Sequence, residues 1–145
     1  MPTYLHFNIA SEIIALLVGT FFLKRLDRKL LYLYVFVCIG LLTESSEYFL
    51  YELGLRNNMW LSHVYFPLEF LFLSLLYRSY FKHFFKKNWT SWVIALVMIY
   101  CLINPFFVQE FNEYSQVRSI SGIILILFSI LYFYMVLVEA KIKKL

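Results

Sequence analysis

Four glutamates and one histidine interrupt otherwise apolar stretches of the sequence, and their chemistry needs an explanation: Glu12, Glu44, Glu47, His63 and Glu69. Carboxylates bind cations and carry protons, and a histidine can join them in ligating a divalent metal. Ionisable groups within apolar membrane segments are costly, and they commonly mark ion paths, proton relays or ligand sites. We therefore treat these five residues as a predicted polar site.

The composition indicates that lipid, rather than water, surrounds this chain. Its 145 residues are 62% hydrophobic, 21% aromatic and only 15% charged, and the mean hydropathy is +0.72. Soluble domains carry roughly 25% charged residues, so too few polar groups are available here to cover a soluble fold. Cys38 and Cys101 fall inside apolar runs and form no disulfide or metal-binding pattern. No nucleotide-binding, metalloprotease or hydrolase motif occurs, so we predict no cofactor, and enzymatic activity has no support in the sequence.

Apolar segments of about 20 residues, the length that crosses a bilayer, recur along the whole chain. They cover residues 5–23, 30–53, 59–77, 91–108 and 119–138. No basic segment precedes the first one, which predicts a retained helix rather than a cleaved signal peptide. The connections are short and no repeat or linker occurs, so residues 1–145 form one predicted domain. The prediction is an all-α polytopic transmembrane helical bundle with about five spans.

Lysine and arginine alternate between rich and poor connections, which predicts the orientation of the bundle. The rich segments contain Lys24, Arg25, Arg28 and Lys29, then Arg78, Lys82, Lys86 and Lys87, and finally Lys141, Lys143 and Lys144. The second connection contains only Arg56 and the fourth only Arg118. Because basic loops stay in the cytoplasm, we predict an outside N-terminus and a cytoplasmic C-terminus in a bacterial inner membrane.

The segment after the third span is a predicted cytoplasmic basic face, consisting of Arg78, Lys82, His83, Lys86 and Lys87. Such a face anchors the protein by attracting anionic lipid, and it offers a docking surface for a cytoplasmic partner protein. The spacing of Arg78 and His83 also occurs in some RNA-cleaving helical nucleases. Between phenylalanines in a basic interfacial segment, however, the spacing is more typical of membrane anchoring, so we expect no direct nucleic-acid partner.

The acids lie on helical stripes with small or polar residues at spacings of three and four. The stripes are Asn8, Glu12, Ala15 and Gly19; Gly40, Glu44, Glu47 and Tyr51; Ser62, Tyr65 and Glu69; and Ser115, Ser119, Gly122, Ile126 and Ser129. His63 points about 100° away from Ser62. Small residues allow close helix approach, so we predict that these stripes assemble into a polar pocket that opens outward. Asn104, before Pro105, is a further predicted polar contributor.

Three functions fit this pattern. The first is a homo-oligomeric channel-like or membrane effector protein that passes or binds cations or protons. The second is a ligand-sensing or accessory subunit that docks a cytoplasmic partner. The third is an intramembrane metalloenzyme with Glu44, Glu47 and His63 as metal ligands. A purely structural alternative is that the carboxyl groups are protonated and hydrogen-bond across helices, or that Arg56 and Arg118 neutralise them.

Part of the chain, Ser46–Phe81, resembles an uncharacterised group of polytopic inner-membrane proteins of Bacteroidetes that have about seven spans. The matching residues are Asn57, Asn58, Trp60, His63, Tyr65, Pro67, Glu69 and Phe70. The chain is also loosely similar to small membrane accessory or effector proteins of type VI CRISPR loci and other phage-defence loci. The resemblance implies a multi-span membrane fold and leaves open further helices after the fifth span.

Overall fold

Five α-helices follow one another in the computed structural model, which describes residues 3–55, 58–85, 88–108, 110 and 115–142. They are α1 (Thr3–Phe21), α2 (Arg28–Glu52), α3 (Trp60–Phe84), α4 (Trp89–Phe107) and α5 (Val117–Ile142). A 3₁₀ turn over Leu23–Arg25 connects α1 to α2. The prediction of an all-α fold is confirmed for these residues.

Four of the helices, α2 to α5, are long and apolar enough to cross a membrane, whereas the apolar part of α1, Phe7–Phe21, is shorter. Large apolar side chains point outward, including Leu42 (68% exposed) and Trp92 (74% exposed). The accessible surface is 10535 Å², against roughly 7,900 Å² expected for a globular protein of this mass. Exposed apolar surface on this scale must be shielded from water. Together with the four long apolar helices, it indicates a membrane-embedded protein.

Helix α3 is the centre of the bundle, because it packs against α2, α4 and α5, while α1 packs against α2. Helices α3 and α5 run in the same direction: Tyr77 contacts Phe128 and, one turn on, Tyr80 contacts Tyr132. Phe81 stacks on Trp89 at the start of α4, which runs in the opposite direction. This aromatic cluster fills the bundle at the end where α3 finishes.

Close contact between α1 and α2 depends on two glycines. A Cβ atom at Gly19 would lie 2.6 Å from the Tyr34 ring, so the ring packs directly on the α1 backbone. The hydroxyl groups of Thr20 and Tyr34 are hydrogen-bonded at 2.8 Å. Further along, the Glu12 carboxyl lies against Gly40, where a Cβ would be 2.8 Å from Glu12 Oε1. The helices are therefore antiparallel, and Glu12 reaches α2 at mid-length.

Helix α3 continues past the predicted end at 77 as far as Phe84. Tyr77, Tyr80 and Phe81 make aromatic contacts with α4 and α5. These contacts explain the extension, because they stabilise the helical conformation of the last turns. Consequently, Arg78 and Lys82 lie on a helix rather than in a connection. For His83 only the backbone, within α3, is described, while the predicted basic residues Lys86 and Lys87 lie outside the described residues.

The inward face of α5 differs from the predicted small, polar stripe. Ser119, Ile126 and Ser129 are exposed. The buried positions include Ser121, Phe128 and Met135. Large side chains determine this rotation, because Phe128 packs against Phe81 with ring centroids 5.6 Å apart, and burying such rings outweighs the benefit of burying serine and glycine.

Candidate functional site

An acidic pocket of about 390 Å³ lies between α2, α3 and α5. Its walls are Gly40, Thr43, Glu44 and Glu47 from α2, Ser62, Tyr65, Phe66 and Glu69 from α3, and Arg118 from α5. On both α2 and α3 the lining positions follow the spacing three, one, three, so each helix presents one continuous stripe. The pocket therefore arises because two polar helix faces meet where apolar packing is incomplete.

The carboxyl groups are close enough to interact electrostatically. Glu44 interacts with Glu12 on one side and with Glu47 on the other. Asn8 is within hydrogen-bonding reach of the Glu44 carboxyl, although Glu44 Oε2 and Glu12 Oε2 are buried without a hydrogen-bond partner among the described residues. Buried oxygens of this kind are costly, and a bound cation or proton would satisfy them.

Tyr65 lies at the centre of this arrangement, since its side chain is close to those of Glu12, Glu44, Glu69 and Arg118. Its ring also packs edge-on against Phe66, with centroids 5.6 Å apart. The pocket wall thus combines an aromatic surface with several carboxylates.

Arg118 supplies a positive charge at the pocket, and α3 positions it. The Ser115 backbone N–H donates a hydrogen bond to Ser62 Oγ at 3.2 Å, which ties the residues before α5 to the first turns of α3. One turn later the Arg118 guanidinium lies 5.4 Å from the Phe66 ring centroid, a cation–π distance. From there it interacts with the Glu69 carboxylate.

The structure brings together four of the five residues of the predicted site. Glu44, Glu47 and Glu69 line the pocket, and Glu12 lies at its edge against Gly40. His63 is 6% exposed and is not part of the wall. It shares the helical face of Pro67 and Phe70, which turns toward the core.

From the sequence, Tyr65 is placed on a stripe of the predicted pocket and Arg118 is considered only as a counter-charge in the structural alternative, while Phe66 is not identified. The sequence carries a signal for Arg118, since it is the only basic residue in the fourth connection, but nothing in it specifies how α5 aligns with α3. Asn104, the predicted contributor from α4, is fully buried and accepts a hydrogen bond from the Tyr100 hydroxyl at 3.1 Å. It is absent from the pocket lining.

Metal ligation has no geometric basis in the described part of the chain, where no three His, Cys, Asp or Glu side chains converge on a point that could hold an ion. The pocket is also far larger than a bare ion and falls within the volume range of small-molecule sites, about 300–1,000 Å³. The lining thus combines three carboxyl groups, one guanidinium group and two aromatic rings.

Fold and site together define a membrane-embedded helical bundle with a charged pocket among its helices. Comparison with protein-family models, with curated proteins and with solved structures finds no match to the chain. The resemblance drawn from Ser46–Phe81 therefore stays a prediction, and the function must be argued from the pocket itself.

Proposed function

We propose that this membrane protein binds a small organic cation, such as an ammonium compound, in the acidic pocket. The observation that carries the proposal is that Glu44, Glu47 and Glu69 line one 390 Å³ cavity together with Tyr65 and Phe66. Carboxylates neutralise an ammonium group, and aromatic faces attract it through their quadrupoles. Ligand binding of this kind corresponds to the sensing role among the predicted functions.

The side chains that follow the pocket along α3 favour cation binding over cation transport through a single chain. Further along the same face of α3, the Tyr80 ring lies 5.0 Å from the Tyr132 ring of α5 and 4.3 Å from Lys29 Nζ of α2. Two aromatic rings and a positive charge oppose the passage of a cation between these helices. A cation path would have to run between copies of the chain rather than through one.

Isothermal titration calorimetry on the purified protein in detergent tests the proposal, with tetramethylammonium and spermidine as probes and sodium as the comparison ion. We expect Glu47→Gln and Glu69→Gln to weaken spermidine binding about tenfold to a hundredfold, because hydrogen bonds to charged groups contribute roughly 1.5–3 kcal/mol. Tetramethylammonium has no N–H donor, so its binding should weaken less, through the loss of negative charge alone. Glu52→Gln is the matched control, since Glu52 is an exposed acid outside the pocket. Equal loss in all three variants, or no preference for the organic cations over sodium, would contradict the proposal.

We also infer five spans, an outside N-terminus and a cytoplasmic C-terminus in a bacterial inner membrane. The lysine and arginine distribution supports this orientation. We count α1 as a span in addition to α2–α5. Its 19 residues extend about 28 Å, which is close to the roughly 30 Å of a bilayer core. It also lies beside α2 over the same depth.

Cysteine labelling in intact cells tests this topology in a background with Cys38→Ser and Cys101→Ser. We expect a membrane-impermeant maleimide to label Glu52→Cys from outside and to label Lys24→Cys only after permeabilisation. The same label pattern at both sites, or the reverse pattern, would contradict the orientation.

A further inference from the structure

A second pocket lies at the opposite end of the bundle from the acidic one, between the first turns of α2 and the last turns of α3. Its volume is about 230 Å³, and it is lined by Arg28, Tyr32, Leu75, Arg78, Ser79 and Lys82. We call it the basic pocket. Leu75, the nearest α3 residue of its lining, is six positions after Glu69, so the two pockets are about 9 Å apart along α3. They share no lining residue, and the basic pocket is therefore separate from the proposed cation site.

Three cations converge on this pocket from two helices. No carboxylate is in its lining, and across the described segments no salt bridge joins Arg28, Arg78 or Lys82 to an acid. Asp27, the neighbouring acid, is exposed and is not in the lining. Bringing like charges together is unfavourable, so the arrangement fits an anion that occupies the space between them.

The chemistry of the lining selects the kind of anion. Two guanidinium groups offer forked N–H donors that match phosphate oxygens, and Lys82 adds a point charge. The Tyr32 and Ser79 hydroxyls are further polar groups, although Ser79 also donates to the Leu76 carbonyl at 2.6 Å. Lys29 lies 4.3 Å from the Tyr80 ring centroid, which adds a fourth cation near the same end.

The depth of the pocket fits a membrane headgroup. Arg28 is the first residue of α2, and Arg78 lies six positions before the end of α3, or about 9 Å inside the helix terminus. Leu75, the α3 lining residue farthest from the end of that helix, gives the pocket an apolar wall. Basic pockets between transmembrane helices at this level bind anionic headgroups.

We propose that the basic pocket binds a phosphate-bearing headgroup through Arg28, Arg78 and Lys82. Two sources share this chemistry, an anionic phospholipid and a soluble phosphate ester. Either one would bridge α2 and α3 at the end where the aromatic cluster of the bundle lies.

Native mass spectrometry of the full chain in detergent tests the proposal, using dioleoyl phosphatidylglycerol and dioleoyl phosphatidylcholine as probes. We expect preferential binding of phosphatidylglycerol, because the three side chains donate hydrogen bonds directly to the phosphate. Binding should weaken about fivefold in Lys82→Gln and about thirtyfold in Arg28→Gln combined with Arg78→Gln. Because Lys82 is exposed, its variant tests the pocket even if the double variant does not fold. Arg25→Gln is the control, since it removes the same charge at the same end outside the pocket, and it should change affinity less than twofold.

Glycerol 3-phosphate added in excess distinguishes the two sources. Displacement of phosphatidylglycerol supports a soluble phosphate ester as the occupant, and retention supports a lipid headgroup. Equal binding of both lipids would overturn the proposal. So would a loss in Arg25→Gln as large as that in Lys82→Gln, because binding would then depend on surface charge alone.

Discussion

Replacing Gly19 by alanine should separate α1 from the rest of the bundle. The new Cβ would lie 2.6 and 2.9 Å from two carbons of the Tyr34 ring, whereas carbon atoms in contact are normally about 3.5–4.0 Å apart. Tyr34 is a rigid ring, so either the helices move apart by about 1 Å or the ring rotates. Rotation would break the 2.8 Å hydrogen bond between the Tyr34 and Thr20 hydroxyls.

The expected cost follows from these contacts. Overpacking costs about 1–3 kcal/mol and the lost hydrogen bond about 0.5–1.5 kcal/mol, while alanine regains up to about 1 kcal/mol of helix propensity. A net destabilisation of about 1–3 kcal/mol raises the population of detached α1 by roughly fivefold to over a hundredfold. Gly122→Ala is the matched control, because a Cβ at Gly122 meets nothing within 4 Å.

Two measurements check this prediction. Unfolding in mixed micelles of sodium dodecyl sulfate and dodecyl maltoside reports the free energy. Electron–electron double resonance between spin labels at Phe7→Cys and Glu52→Cys reports the position of α1 relative to α2. We expect a lower unfolding free energy and a broader distance distribution for Gly19→Ala. Gly122→Ala should keep the wild-type distance distribution, with an unfolding free energy at or above that of wild type. If both variants behave alike, the direct packing of Tyr34 on the α1 backbone is wrong.

Two further substitutions test the contacts that surround α3. Ser62→Ala removes the acceptor of the Ser115 N–H, so we expect a loss of about 1–3 kcal/mol in unfolding free energy. Ser46→Ala is the control, because Ser46 donates a hydrogen bond only within its own helix, and its unfolding free energy should stay close to that of wild type. Phe81→Ala should cost about 3–5 kcal/mol by thermal or detergent unfolding, because Phe81 is 1% exposed in the aromatic cluster, whereas Phe84 is 37% exposed and its alanine variant should lose far less. A similar cost for both phenylalanines would mean that the cluster does not stabilise the bundle.

The positions of the helices were largely predictable from the sequence, because bilayer thickness and backbone hydrogen bonding set the length of an apolar helix. The end of α3 could not be predicted from the sequence. Its final turns, up to Phe84, carry Arg78 and Lys82, and the charge of these residues is typical of a connection between spans. They stay helical because the neighbouring Tyr77 and Phe81 pack against α5, and such a contact depends on the tertiary structure rather than on local composition.

In the acidic pocket, too, local sequence determines some features and tertiary contacts determine others. Helical spacing alone puts Glu44 and Glu47 on one face of α2, and it puts Glu69 in line with Tyr65 on α3. It cannot specify the alignment between α3 and α5, which involves both the packing of Phe128 on Phe81 and the hydrogen bond from the Ser115 N–H to Ser62 Oγ. That alignment brings Arg118 to the pocket and, with it, the counter-charge that changes the chemistry of the site. A row of acids without Arg118 would be suited to a bare cation or a proton. With an arginine at one side and aromatic rings on the wall, the lining is the reason that we propose a small organic cation rather than a bare ion.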